Sequence, residues 1–522
     1  MSHYSTIIKN GLVFDGKGNK PLRADVAIMD DEIKKIGDLQ TEAAYNIVDA
    51  NGRCVAPGFI DITNHSDTHW TIFSFPRQES LVSQGITTII GGNCGSSLAP
   101  FLGESSAKEI ERWIDTSKIN INWQTVGEFL GEMDKRKLGL NFGTLVGLNT
   151  IRRSIIADKQ KIGKIKLLLK SSLDQGAYGL STNFGLSNLG FFSDEEIADI
   201  FKVLQPHDAV VKHHLEDEGQ NILPTISRLI GAARESKTRM HISHFKSLGR
   251  SSWDYFFKAV EMAETARKEG VKITYDFFPY TKTGSSLFET LPLWFKKYSP
   301  EEAMFILSSS GDKRRQDLKD HLKKITLHYD KIIIASATSG FGTPGKTIRQ
   351  IAEESGRDGE EVVLNLLEAN NLRVSIFNEA ISEFNLELIA KDRYSVVSSD
   401  GVGYDFFKKN TNDLPHPRSF GAYPRAISQL VKKKEIIPLE TMISKMTSLP
   451  AHILGIKDRG IIEKGKKADL VVFDEGLIED TATYENPFAP SLGVQYVFVN
   501  GQAVISSARP TGLLPGKALR NQ

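Results

Sequence analysis

Several side chains that could bind a metal or transfer protons follow short apolar segments of the chain. They lie in Asp61-Ile-Thr-Asn-His65, Gly91-Gly-Asn-Cys94-Gly95, His213-His214, His244-Phe-Lys246 and Ser399-Asp400-Gly401. Thiolate and neutral imidazole are usual zinc ligands, and catalytic zinc sites combine three protein ligands with an open position for water. Cys94, His214 and His244 therefore form a candidate catalytic zinc site.

Other interpretations of these residues stay open, because their spacing of 120 and then 30 positions has no local signature. A lone histidine near a strand end is commonly structural, and a cysteine between glycines is commonly a small buried residue. His213 and His241 compete as ligands, although alternation along a strand sends only one of His213 and His214 inward. Cys94 could also be a nucleophile with a histidine base. Its flanking glycines could form a phosphate-binding nest, but the Lys-Ser/Thr continuation of a P-loop is missing.

These side chains can meet only if parallel strands bring them to one rim. Between about Pro57 and Pro450, short apolar segments alternate with amphipathic ones, which is typical of a parallel sheet between helices. The candidate strands are Val55–Asp61, Thr87–Gly91, Phe142–Val146, Tyr178–Ser181, Ala209–His213, Met240–Ser243, Ile273–Asp276 and Ser395–Ser398. Eight such units predict an α/β fold, a (β/α)8 TIM-like barrel, whose working groups follow the C-terminal ends of the strands.

Both ends of the chain and one internal segment fall outside this alternation. Residues 1–56 and 456–522 contain Val- and Ile-rich strands separated by Gly and Asp, and we expect them to form one small β-sandwich domain. Residues 57–455 form the expected barrel domain. Within it, residues 285–344 are mostly helical and charged, which predicts a helical insertion near the barrel mouth. An ordinary unit of the barrel is the open alternative for that segment.

Composition excludes several classes of protein. The 522 residues carry 65 Lys and Arg against 64 Asp and Glu, so there is no electrostatic footprint for nucleic acid or an anionic membrane. No apolar run reaches the ~18 residues of a membrane span, and no signal peptide is visible. Two cysteines exclude a disulfide framework and suit a reducing compartment. We therefore expect a cytoplasmic protein that acts on a small molecule; its oligomeric state is left open.

The motifs of the chain resemble the amidohydrolase superfamily over nearly its whole length. The opening pattern from Asn10-Gly to Pro57-Gly-Phe-Ile-Asp61 and the closing pattern from Met446 to Asp469 are similar to that superfamily. Further motifs resemble its D-aminoacylase (N-acyl-D-amino-acid deacylase) family: Gly92-Asn-Cys94-Gly, His214-Leu-Glu-Asp-Glu218, Ile242-Ser-His244-Phe-Lys246, Asp276-Phe-Phe-Pro-Tyr280, Ser399-Asp400-Gly401 and His416-Pro-Arg418. A cysteine where other amidohydrolases place a carboxylated lysine is the most specific element.

The resemblance implies a zinc-dependent hydrolase that cleaves N-acyl-D-amino acids into a carboxylic acid and a free D-amino acid. The matching positions are Cys94, His214 and His244 as zinc ligands, Asp400 and His65 as catalytic residues, and Lys246, Tyr280 and Arg418 as ligands of the substrate's α-carboxylate. In this hypothesis zinc activates a water molecule, while Asp400 takes its proton and delivers it to the leaving amine. Arg418 is suited to bidentate carboxylate binding.

The chain departs from the family pattern at three positions. The His-x-His pair that normally helps to hold a second metal is Thr63-Asn-His65 here, which predicts one zinc ion per chain. Glu216 replaces a basic residue of many relatives, and Phe278 replaces an aromatic hydroxyl, so the acyl group and D-side chain are left open. The alternatives are hydrolysis of D-amino-acid-containing dipeptides or cyclic ureides, and a non-catalytic amidohydrolase-like scaffold. The missing histidine favours the scaffold, and the ligands retained at the strand ends oppose it.

Overall fold

Both ends of the chain combine in one nine-stranded β-sheet. The structure, a computed structural model, describes residues 3–103, 106, 110–111, 114, 116, 119–155, 161–184, 192–292, 294–325, 327–337, 344–407 and 413–521. The sheet contains β1 (Tyr4–Val13), β2 (Leu22–Met29), β3 (Glu32–Gly37), β4 (Ala44–Asp49), β5 (Cys54–Pro57), β18 (Leu470–Phe473), β19 (Val494–Val499), β20 (Gln502–Ser506) and β21 (Arg509–Pro510). Strand β5 pairs with both β1 and β18, so it joins the two termini. The expected union of the termini is confirmed, as one hydrogen-bonded sheet.

Eight strand positions between these termini form the barrel. They are β6 (Phe59–Asp61), β7 (Ile86–Gly91), β8 continued by β9 (Asn141–Thr144 and Val146–Gly147), β10 (Gly179–Thr182), β11 (Val210–His213), β12 (Arg239–Ile242), β13 (Ile273–Phe277) and β17 (Ser395–Val397). Neighbouring strands pair in parallel from β6 to β8 and from β9 to β17. A parallel bridge between Asn64 and Gly401 connects the first and last strands. The predicted TIM-like barrel is confirmed.

Between β13 and β17 the chain forms a separate antiparallel sheet. Strands β14 (Lys282–Ser286), β16 (Val374–Glu379) and β15 (Ile332–Ala337) lie side by side in that order. Their apolar residues and those of the adjoining helices form a hydrophobic cluster distinct from the barrel core. The insertion expected at residues 285–344 lies inside this unit, which begins at Lys282 and includes the chain up to Glu379. Residues 293, 326 and 338–343 fall outside the described part.

Helices connect most of the barrel strands and cover the inserted sheet. They are Thr71–Ser74, Glu79–Val82, Val126–Arg136, Leu148–Ser154, Lys161–Asp174, Asp194–Lys202, Ile222–Ser236, Trp253–Lys268, Pro300–Ser308, Lys313–Lys324, Ile348–Ser355, Gly359–Ala369, Glu383–Lys391, Arg418–Arg425, Leu439–Met446 and Ser448–Leu454, with a π-helix over Ala426–Lys433. Reciprocal capping boxes at Thr125, Ser193, Ser299 and Thr347 explain where four of them begin. Among the described residues, no helix is long and apolar enough to cross a membrane.

A buried ion pair joins the terminal sheet to the barrel. Asp469 directly precedes β18, and its Oδ2 accepts a hydrogen bond from Nδ2 of Asn141 on β8 at 2.9 Å. Its Oδ1 accepts from the backbone N–H of Asn500, directly after β19, at 2.7 Å. Arg459 pairs with the same carboxylate, and the two side chains are only 3% and 2% exposed. Asp469 therefore connects β18 and the residue after β19 in the terminal sheet with β8 of the barrel.

Replacing Asp469 by asparagine should destabilise the protein, because the buried Arg459 loses its buried partner and keeps only the ion pair with Asp458, whose side chain is 52% exposed. Removing one partner of a buried ion pair costs about 3–5 kcal/mol. We expect a lower midpoint of thermal unfolding, followed by circular dichroism. The matched control is Glu463→Gln, which breaks the pair with Lys17, where both side chains are about half exposed (51% and 48%). Equal midpoints for the two variants would contradict the role of Asp469.

Candidate functional site

Three residues of the predicted site adopt a left-handed backbone conformation shortly after a barrel strand. Cys94 follows β7, His244 follows β12 and Asp400 follows β17, with φ values of 54, 37 and 48°. Non-glycine residues avoid this region, and such strain is concentrated at functional sites. Hydrogen bonds from other strands maintain it: Oδ1 of Asp276 accepts from the N–H of His244 at 2.8 Å, and the carbonyl of Thr63 accepts from the N–H of Asp400 at 3.0 Å.

The structure brings Cys94, His214 and His244 together. The sulfur of Cys94 is 3.3 Å from Nδ1 of His214 and 3.5 Å from Nε2 of His244. All three ligand atoms lie within 4.8 Å of one another, and no other group of three such side chains is this close in the part of the chain that the structure describes. One sulfur and two imidazole nitrogens fit the ligand set of a zinc site with an open position.

The charge state of Cys94 also fits a metal ligand. Burial alone would raise the pKa of the Cys94 thiol, but the neighbouring imidazoles of His214, His244 and His65 lower that pKa well below its usual range. The thiolate, rather than the thiol, is the form that binds metals. Cys94 therefore has the charge state of a metal ligand even without a bound ion.

Glu218 lies behind His244, on the side away from Cys94. Its Oε1 is 3.2 Å from Nδ1 of His244 and 2.6 Å from Nζ of Lys246. Burial alone would raise the pKa of Glu218, but the charge of Lys246 and the contact with His244 lower it to about 2. A carboxylate that accepts a hydrogen bond from Nδ1 leaves Nε2 free to bind a metal. Glu218 stands four residues after His214, and the sequence alone indicates no role for it.

Asp400 lies between a histidine and an arginine. Its Oδ1 is 3.1 Å from Nε2 of His65, and its Oδ2 is 2.7 Å from Nη1 of Arg418. Burial alone would raise the pKa of Asp400, but the charge of Arg418 and the neighbouring imidazoles hold it well below its usual range. Burial would likewise lower the pKa of His65, whereas hydrogen bonds to Asp400 and Cys94 raise it to about 10. His65 thus connects the carboxylate with the thiolate.

Phe278, rather than Tyr280, contacts both cations that were expected to bind a carboxylate. Its ring centroid is 5.8 Å from Nζ of Lys246 and 4.9 Å from Cζ of Arg418. The ring of Tyr280 meets His416 edge-on at 5.2 Å, and among the described residues its hydroxyl has no hydrogen-bond partner. Nδ1 of His416 accepts a hydrogen bond from the backbone N–H of Arg418 at 3.0 Å. Tyr280 therefore contacts the histidine that holds Arg418.

The competing histidines have other partners. Nε2 of the buried His213 is 3.2 Å from Oε2 of Glu216. His241 donates from Nε2 to Oδ2 of Asp276 at 2.8 Å. Both imidazoles are fully buried, and neither belongs to the cluster of ligand atoms around Cys94. Glu216, whose direction the sequence could not give, contacts His213.

A family model, curated sequences and solved structures are all similar to this chain. An amidohydrolase family model matches residues 317–505. The chain is 29% identical to N-acyl-D-glutamate deacylase of Alcaligenes xylosoxydans xylosoxydans, over 98% of this chain and 96% of the relative. It is 26% identical in sequence to N-acyl-D-glutamate deacylase of Bordetella bronchiseptica, solved with zinc and a phosphonate that mimics the tetrahedral intermediate; the TM-score is 0.83, over 99% and 100% of the two chains. A D-aminoacylase described with a binuclear metal centre, one-metal activation and second-metal attenuation has a TM-score of 0.82, 26% identity and the same coverage.

Replacing Gly92 by alanine should disturb the turn that carries Cys94. Gly92 has φ of +70°, and a Cβ there would lie 2.2 Å from the carbonyl oxygen of Leu145. After both proteins are incubated with zinc, we expect the variant to retain much less of the ion than the wild type on dialysis against a weak chelator. Gly131→Ala is the matched control, because a Cβ at that helical position meets nothing within 4 Å. Equal zinc retention by the two variants would contradict this dependence.

Proposed function

Because the chain belongs to the amidohydrolase superfamily, in its D-aminoacylase family, we propose that it hydrolyses the amide bond of N-acyl-D-amino acids with the help of zinc. The family resemblance seen in the sequence is thereby confirmed. The observation that carries the proposal is the cluster of Cys94, His214 and His244, which shares its rim with Asp400. The products would be a carboxylic acid and a free D-amino acid.

In this proposal, Cys94, His214 and His244 hold one zinc ion per chain. Bound zinc supplies Lewis acidity toward the amide carbonyl and toward water. Glu218 orients His244 through Nδ1, so that Nε2 points to the side of Cys94. Thr63 offers only a hydroxyl where the family has a histidine, and that hydroxyl donates to Asp276 at 2.6 Å. We therefore propose a single metal rather than a pair.

Asp400 is the group to which we assign proton transfer. It is ionised beside Arg418, so it can accept a proton from the attacking water and return it to the leaving amine. General base catalysis followed by general acid catalysis contributes ~10²–10⁴-fold to the rate. His65 orients the carboxylate through the 3.1 Å contact between its Nε2 and Oδ1 of Asp400.

Because Arg418 is paired with Asp400, binding of the substrate's α-carboxylate to Arg418 would also change the pKa of Asp400. We assign carboxylate binding to Lys246 and Arg418, with Tyr280 supporting Arg418 through His416. A carboxylate that engages Arg418 competes with Asp400, which then loses its nearest positive charge. The pKa of Asp400 would rise toward its ordinary range, which makes the carboxylate a better base. Binding energy from the non-reacting end of the substrate would thus assist the chemical step.

A substrate panel separates this proposal from its alternatives. We expect hydrolysis of N-acyl-D-amino acids by zinc-loaded protein, with no comparable rate on their L-enantiomers, D-amino-acid dipeptides or hydantoins. Asp400→Asn should lower kcat by ~10²–10⁴-fold because proton transfer is lost, and its zinc content should equal that of the wild type. Hydrolysis of dipeptides or hydantoins alone would favour those activities. No hydrolysis at all by zinc-loaded protein would favour the scaffold.

Replacing Arg418 by methionine should weaken the binding of the α-carboxylate. A hydrogen bond to a charged group contributes about 1.5–3 kcal/mol, so we expect kcat/KM for an N-acyl-D-amino acid to fall by ~10–100-fold. The matched substrate is the same compound with its carboxylate converted to a carboxamide. The wild type should process the carboxamide poorly, and the variant should show no further loss. An equal loss on both substrates would assign Arg418 to another role.

A further inference from the structure

Lys212 on β11 carries an ammonium group that none of the proposed catalytic steps uses. Its side chain is fully buried inside the barrel. Nζ donates to the carbonyl of Ile62 and to Oγ1 of Thr63, the latter at 2.6 Å, and it lies 3.8 Å from Oδ2 of Asp276. A buried charge without a partner is strongly destabilising. Asp276 must therefore compensate this ammonium.

The ammonium lies close to the proposed metal ligands. Lys212 stands two residues before His214, and Thr63 stands two residues before His65. Strand β11 ends at His213, and Nζ of Lys212 reaches Ile62 and Thr63 after β6, so Lys212 points into the barrel. Burial lowers the pKa of Lys212, whereas the charges of Asp276, Cys94 and Asp400, among others, oppose that change.

Thr63 and Lys212 fit each other sterically. Oγ1 of Thr63 is held between Nζ of Lys212 and Oδ2 of Asp276, each at 2.6 Å. An imidazole that left position 63 in the direction of Oγ1 would meet Nζ of Lys212, because Oγ1 itself is already 2.6 Å from that nitrogen. The buried ammonium is therefore compatible with a small side chain at position 63, and it fills the space into which a histidine there would extend.

We propose that the Lys212 ammonium takes the place of a second metal ion and acts as a built-in cation that keeps the site mononuclear. This inference rests on the proposed zinc-dependent function. A further divalent ion between His65 and Asp400 would be repelled by the ammonium, because charges interact strongly in the protein interior. Attenuation by a second metal is described for the similar D-aminoacylase. For this chain we expect excess zinc to leave the hydrolysis rate unchanged.

Metal binding by four proteins tests the proposal. Wild type, Thr63→His, Thr63→His/Lys212→Ala and the control Lys445→Met are freed of metal and saturated with zinc. Bound zinc is then counted by mass spectrometry after gel filtration. Lys445 is also buried, but it donates to the carbonyls of Asp392 and Ser395 and not to Thr63 or Asp276, so its loss should leave the metal count unchanged. We expect two ions in the double variant and one in each of the others. With cobalt, electron paramagnetic resonance should detect spin coupling between ions in the double variant alone.

Each outcome decides the matter. Two ions in the wild type or in Thr63→His would overturn the proposal, because the ammonium would then not exclude a second ion. One ion in a double variant with the circular dichroism of the wild type would also overturn it. If the double variant does not fold, Thr63→His/Lys212→Met replaces it, with two ions expected and a count of one in a folded protein contradicting the proposal. One ion without any hydrolysis would overturn the proposed function alone, and hydrolysis with two ions would overturn this inference alone.

Discussion

The carboxylate of Asp276 sets the geometry of the rim, because groups that follow or belong to several barrel strands donate hydrogen bonds to it. The donors are the backbone N–H of His244, the hydroxyls of Ser398 and Thr63, and the imidazole of His241. Burial alone would raise the pKa of Asp276, but His241 and Lys212 hold it below its usual range. The left-handed turn at His244, the segment that leads to Asp400 and the position of Thr63 all depend on this one ionised group.

Charges on the rim occur as pairs of opposite sign. Lys212 lies beside Asp276, Lys246 beside Glu218, and Arg418 beside Asp400, at 3.8, 2.6 and 2.7 Å. In a buried site each pair is stable because neither charge can be solvated separately. A carboxylate ligand must therefore exchange with an existing partner when it binds Lys246 or Arg418. Under the proposed function, the binding of the substrate's carboxylate to Arg418 would also raise the pKa of Asp400.

The barrel could be predicted because short apolar segments alternate with amphipathic ones. Since working groups of such barrels follow the C-terminal ends of the strands, the polar residues after each apolar segment were the candidate ligands. Alternation predicts that His213 and His214 point in different directions, and in the structure His214 contacts Cys94 whereas His213 contacts Glu216. The left-handed turns at Cys94 and His244 could not be predicted, because these residue types favour negative φ. Long-range hydrogen bonds hold the turns, and the role of Glu218 likewise depends on a contact with a different strand end.

The role of Thr63 depends on Lys212, which lies 149 positions away in the sequence. In the sequence alone, threonine in place of histidine is the loss of a ligand. In the fold, its hydroxyl accepts a hydrogen bond from Lys212 and donates one to Asp276, so the threonine is part of the arrangement that makes a buried ammonium possible. Neither residue is explained by itself. Lys212 needs a small polar neighbour that accepts its hydrogen bond, and the buried Asp276 beside Thr63 needs a cation that balances its charge. The occupancy of a metal site depends on the concentration of free ion, whereas Lys212 is part of the chain and lies beside the proposed zinc ligands at every ion concentration.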